Sequence, residues 1–171
     1  IIDGEKIILG NRSWIVRVGN GHAPEHLTLW CEDEPIVIAG DQIISSISPN
    51  LGVYATEPDA DPVQEWLTSC EAFLPFSNDK QLVLPGHKLP FYGLPHRLKQ
   101  LIENHHSALK RLVAFLKEPQ TAVDCFPVLF NRKISDNEYG LALVEAVAHL
   151  NHLYRKKMVK RELNSKGAYV Y

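Results

Sequence analysis

Three runs of apolar residues in this chain each lead to a glycine followed by a group that can bind a metal ion or move a proton. They are "GNGHAPEH" with His22, "VIAGD" with Asp41 and "LVLPGHK" with His87. Imidazole together with carboxylate is the donor set that a borderline cation such as zinc accepts. The glycine before each group lets the backbone turn sharply where the run ends. His22 and His26 stand four apart, which on a helix would make a metal-binding face. Pro24 lies between them, lacks an N–H and clashes with a preceding helical turn, so the pair is expected on a loop leading into a strand. Taken singly these signals are weak, because a strand-end histidine is more often structural and a Gly-Asp pair is usually only a turn. Loops along one sheet edge can, however, gather residues distant in sequence into one site.

The elements that must position these groups follow from the spacing. "EKIILG", "WIVRVG", "HLTLW" and "PIVIAG" are β-branched or apolar runs bounded by Gly, Asn, Asp or Pro, and they predict four strands in a meander. In "DADPVQEWLTSCEAFLPF" an Asp61–Pro62 start and apolar Val63, Trp66, Leu67, Cys70 and Phe73 predict an amphipathic helix against the sheet. "KQLVLPGHKLP" reads as a fifth, buried strand ending in a Pro-Gly turn with His87 at its tip. The second half changes character. Leu98, Leu101, Ile102, His105, Leu109, Leu112, Val113 and Leu116 recur near the helical period and predict a long helix ended by Pro119. A short helix capped by Thr121, a third helix from about Ser135 and a hairpin around Asn164–Gly167 complete a winged-helix outline. Trp14, Trp30 and Trp66 fall in these patterns as core residues. The His105–His106 pair falls within the long helix, as a surface or packing pair.

The 171 residues, 45% hydrophobic and 22% charged, suit one or two globular domains. The net charge of −2 hides a split: residues 1–93 hold 5 Lys and Arg against 13 Asp and Glu, whereas residues 94–171 hold 13 against 7. A domain boundary is therefore expected near residue 93, giving units 1–93 and 94–171. Three cysteines, odd in number and without C-x-x-C spacing, argue for free thiols and a cytoplasmic setting over a disulfide framework. No apolar run approaches the roughly 18 residues of a membrane span. The chain begins at Ile1 without a signal-peptide pattern, and is expected to be a piece of something longer.

In this order the motifs resemble the C-terminal half of the metallo-β-lactamase-fold hydrolases. That superfamily reads "GHTPGH" where this chain has "GHAPEH", "FSGD" where it has "IAGD", and "PGH" in both; "ISPNLGVY" at 47–54 is similar to the hydroxyacylglutathione-hydrolase-like branch. The resemblance implies an α/β fold, the C-terminal part of an αββα sandwich followed by a small helical, winged-helix-like domain. It implies two zinc, iron or manganese ions, with His22 a ligand of the first, His87 a ligand of the second and Asp41 the catalytic carboxylate bridging both. By the same resemblance His26 is a buried residue supporting the ligands, and Asn50 and Tyr54 wall the cleft for a small ester-type substrate such as a thioester or lactone.

The superfamily's leading H-x-H-x-D-H stretch does not occur in this sequence. Each metal is then two protein ligands short. The resemblance therefore implies that the chain alone binds zinc weakly and is inactive, and that the missing ligands come from an N-terminal half. An unpaired apolar edge at the N-terminal strands would receive that half, or a second copy of the chain. Two other readings stand beside this one: a catalytically inert relative, and a winged-helix nucleic-acid module or lactamase-like ribonuclease using the basic stretch "RKKMVKR" at 155–161. The His22–Asp41–His87 set, which a nucleic-acid module does not need, separates them; the three are expected within roughly 7 Å of one another at one sheet edge.

Overall fold

The computed structural model describes all 171 residues. Its chain divides into two units whose boundaries interleave: residues 1–49 with 65–102, and residues 50–64 with 103–171. The charge split at residue 93 does not mark this division, because the segment 50–64 groups with the C-terminal helices and the start of the long helix groups with the sheet.

The first unit is built on a five-stranded sheet in the order β1 (Lys6–Leu9), β2 (Arg12–Gly19), β3 (His26–Cys31), β4 (Ile36–Gly40) and β5 (Leu82–Pro85). The first four strands form the expected antiparallel meander, and β5 joins β4 in parallel, with Ile36 opposite Leu82 and Gly40 opposite Pro85. Strand alternation puts Trp14, Val16, Thr28, Trp30, Val37, Ala39 and Val83 in the interior. Helix α1 (Pro62–Phe73) buries Trp66, Leu67, Cys70 and Phe73, as their spacing predicts. Phe73 sets its ring 5.8 Å from that of Trp30. A full burial of each such side chain stabilises by roughly 1.5–3 kcal/mol. All three tryptophans are core residues. The indole of Trp30 donates to the Thr28 hydroxyl at 2.9 Å, so its polar edge is satisfied inside.

Helix α2 (Leu94–Phe115) buries the stripe Leu94, Leu98, Leu101, His105, Ala108, Leu109 and Leu112. Its N-terminal part belongs to the first unit, where the buried Arg97 donates to the carbonyls of Ile44 and Ile47, both at 2.8 Å, and so anchors the segment after Asp41. In the second unit α4 (Tyr139–Arg155) follows a 3-10 turn opened by a capping box, in which Ser135 and Glu138 bond reciprocally. The hairpin β6 (Glu162–Leu163) and β7 (Tyr169–Val170) closes the chain around the expected turn. Two details differ from expectation. Helix α3 (Phe126–Phe130) begins at Phe126, not beside Thr121; the Thr121 hydroxyl donates to the Asp124 carboxylate at 2.6 Å in the preceding turn, so it shapes that turn instead of capping the helix. His105 is buried and stacks on His149 at 5.5 Å between ring centroids, whereas His106 faces solvent. His105 and His106 therefore do not act as a pair.

Candidate metal centre

Strand polarity decides which residues meet. Successive antiparallel pairing of β2, β3 and β4, followed by parallel pairing of β4 with β5, brings the C-terminal ends of β2, β4 and β5 to one sheet edge. His22 follows β2, Asp41 follows β4 and His87 follows β5. The structure brings all three together: one carboxylate oxygen, Asp41 Oδ2, lies 3.8 Å from His22 Nε2 and 3.5 Å from His87 Nε2.

The local backbone shows why these residue types are needed. Gly40 adopts φ +51°, a left-handed conformation open to glycine at little cost, and a Cβ there would sit 2.6 Å from His26 Cε1. A Cβ on Gly86 would sit 2.5 Å from Asp41 Oδ1, and the Gly86 N–H donates to the Gly40 carbonyl at 2.8 Å. The ends of β4 and β5 thus approach more closely than a side chain on Gly86 would allow, while Gly40 leaves room for the His26 ring. The His87 loop is closed behind by reciprocal backbone bonds between Val83 and Phe91 at 2.8 and 3.1 Å. On the β2 side Asn20 shapes the His22 loop, its side-chain oxygen accepting from the Glu25 N–H at 2.9 Å while Glu25 turns at φ +50°.

His26 opens β3 with its ring centroid 5.9 Å from that of His22. Burial, reinforced by the neighbouring His22, pushes its pKa below the usual imidazole value, so the ring is held neutral. Its Nδ1 is buried without a hydrogen-bond partner, and so is Asp41 Oδ1. His87 is the exposed member of the set, with 69% of its side chain open against 27% for His22 and 28% for Asp41.

These residues fit a divalent cation in part. A buried carboxylate oxygen without a donor is costly unless a cation or water satisfies it. Two donors each 2.0–2.2 Å from one tetrahedral ion lie roughly 3.3–3.6 Å apart, close to both Asp41–histidine separations. No group of three or more His, Cys, Asp or Glu side chains is arranged to hold a metal ion. The chain's own side chains therefore supply part of a coordination set and do not complete one.

The remaining candidates lie in the second unit. Asn50 donates through its amide to the Leu141 carbonyl at 3.1 Å and to Glu145 Oε2 at 2.8 Å. Tyr54 is 56% exposed and lines a cavity of about 340 Å³ with Asn151, Arg161, Tyr169 and Tyr171. The contacts of Gln42, buried beside Asp41 and bonded to the His22 loop, were not anticipated from sequence. The only hint was a side chain able to donate, directly after the carboxylate.

The class to which this fold is similar is that of the metallo-β-lactamase-like proteins. The sheet and helices match that fold, and residues 109–171 match the family described as metallo-beta-lactamase-like, C-terminal domain. Over its whole length the chain is similar to a beta-lactamase domain protein from Burkholderia ambifaria, with 34% identity and a TM-score of 0.94, covering 50% of that protein. A metallo-beta-lactamase family protein from Thermus thermophilus is similar over 99% of this chain and 52% of its own, with 27% identity and a TM-score of 0.84. The chain thus spans about half the length of these solved structures. No curated protein sequence matches it. No helix is long and apolar enough to cross a membrane.

Proposed function

We propose that this chain carries half of the two-metal centre of a hydrolase that cleaves an ester-type bond, a thioester or lactone, in a small molecule. The observation that carries this reading is the single oxygen, Asp41 Oδ2, faced by an imidazole nitrogen from each of two other strand ends. His22 would serve one ion and His87 the other, with the Asp41 carboxylate between them. Zinc, iron or manganese bound there would supply a water of lowered pKa and polarise the substrate carbonyl. The chain's own contribution is geometric: Gly40 and Gly86 let the carboxylate reach the centre, and neutral His26 fills the space behind it without adding charge. Asn50 and Tyr54 are proposed as substrate-contacting residues: Tyr54 carries an exposed ring, and Asn50 fixes the segment that carries it through its bonds to α4.

The remaining ligands would come from residues outside this sequence, a reading supported by the coverage of about half of the similar structures. The "ISPNLGVY" segment supports assignment to the hydroxyacylglutathione-hydrolase-like branch, and three helices with a terminal hairpin support a winged-helix-like second domain. The three free cysteines support a cytoplasmic setting.

Metal analysis together with thioester and lactone hydrolysis tests the reading. The isolated chain should bind zinc weakly and turn over neither substrate, and addition of a segment carrying H-x-H-x-D-H should restore both properties. Two tightly held zinc ions and full activity in the isolated chain would place the centre elsewhere.

A further inference from the structure

Gln42 directly follows Asp41 and is fully buried. Its Nε2 donates to the Asn20 carbonyl at 3.2 Å, two residues before His22, while its Oε1 has no partner. A buried acceptor left unpaired is a cost that an apolar side chain of the same size would not carry, so packing alone does not account for an amide here. Helix α1 holds both ends of the connection. The Trp66 indole donates to the Gln42 carbonyl at 3.2 Å, and Ser69 Oγ accepts from the Asn20 N–H at 2.8 Å. The space for the Gln42 side chain exists because residue 19 is glycine: a Cβ there would lie 2.6 Å from Gln42 Cδ and Nε2. The loop bearing His22 and the turn bearing Asp41 are therefore joined by one side chain.

We propose that Gln42 is a positioning residue, whose amide ties the His22 loop to the Asp41 turn and so sets the separation at which the two side chains can share an ion. This rests on reading His22 and Asp41 as ligands. Gln42 itself touches no ligand atom or substrate; it acts through the backbone of Asn20. Groups that hydrogen-bond a metal ligand directly typically govern metal affinity by 10–100-fold, and Gln42, which acts one step further out through Asn20, is assigned the lower end of that range.

The test uses the full 171-residue chain with Gln42→Met, which keeps length and volume and removes the donor, and Gly19→Ala, which displaces the same side chain without changing its chemistry. Amide hydrogen exchange is read at Asn20, Glu25 and Gln42, and compared with core amides of β2 and β3. Both variants should speed exchange at the three loop amides by at least tenfold and leave the core amides as they are. Equal acceleration everywhere, or none at the loops, overturns the tie. Zinc titration is the second readout, with Asp41→Asn as the control that removes a ligand. Q42M should bind zinc about 10-fold more weakly than the parent; parental affinity in Q42M where D41N has lost it also overturns the tie. If D41N binds zinc as well as the parent, the ligand reading falls instead, and the exchange data alone decide the role of Gln42.

Discussion

At Gly40 the backbone and the packing impose the same demand. An alanine there would have to hold φ +51°, which costs a non-glycine residue about 1–2 kcal/mol, and its Cβ would also press on the buried His26 ring at 2.6 Å. Gly40→Ala should therefore lower the urea midpoint by an amount equivalent to about 2 kcal/mol or more. Gly86→Ala differs in kind. Its backbone is unstrained, and the new Cβ would meet the Asp41 carboxylate at 2.5 Å, so the carboxylate must turn away. Its expected effect is a loss of zinc binding out of proportion to any loss of stability, read by titrating both variants alongside their unfolding curves. The three strand-end groups were legible in the sequence because each follows a glycine after an apolar run. Gln42 was not, since nothing in a linear sequence shows that the carbonyl of Asn20 will lie within reach of its amide.

Helix α4 carries two titratable groups away from open solvent, the half-buried Glu145 and the fully buried His149, and their effects on stability run in opposite directions. Burial pushes the Glu145 carboxyl up to about 7, with the Asn50 amide as a partial counterweight, and burial together with His105 pushes His149 down to about 3. Around His149 stand the ring of His105 from α2, the Glu145 carbonyl accepting at its Nδ1, and His152 and Asp61, which pair with each other at 3.0 Å. For Glu145 the unfolded chain loses its proton first as pH rises, so stability declines from about pH 4.5 to 7. For His149 the unfolded chain takes up its proton first as pH falls, so stability declines from about pH 6.5 to 3. Glu145→Gln should hence be more stable relative to the parent at pH 8 than at pH 4, and His149→Phe should flatten the loss below pH 6.5. Chemical denaturation across pH 4–8 reads both. Neither group was singled out from sequence, because helical periodicity marks His149 and Glu145 only as members of a mostly apolar stretch. The long helix, by contrast, was legible from Leu98 to Leu112, where burial follows spacing directly. Helix α3 was misplaced because the Thr121–Asp124 pair satisfies the chain locally before the helix begins.

On the scale of the whole molecule the sheet ends at β1, an edge strand with Ile8 64% and Leu9 50% exposed, preceded by Ile1 and Ile2 at 75% and 71%. Exposed apolar edges recruit further strands, and Lys6, paired with Glu32 at 2.7 Å, is the one charged residue of β1. We propose that in the isolated chain a second copy supplies the pairing strand. Sedimentation velocity should show concentration-dependent association that Ile8→Lys abolishes; an unchanged monomer at all concentrations in the parent would show that the edge is adequately guarded. The meander and α1 were readable as a pattern, but the interleaved division was not, because residues 50–64 carry no compositional mark of grouping with the C-terminal helices.

The parallel pairing of β4 with β5 also fixes when the centre can come into being. Strands β1 to β4 are joined by tight connections and can zip up locally, whereas Asp41 and His87 become neighbours only after the chain has run through residues 50–64, formed α1 and returned as β5. Such non-local closure carries its entropy cost before any contact rewards it, and so belongs to the slow end of folding. Gly86, which lets the β5 turn meet Asp41, is then brought in among the last contacts of its unit. A chain that has collapsed around its tryptophans, with native-like fluorescence, could already set His22 beside Asp41 but would lack the His87 half of the centre, and the arrival of that second metal affinity during refolding would mark the moment at which β5 docks.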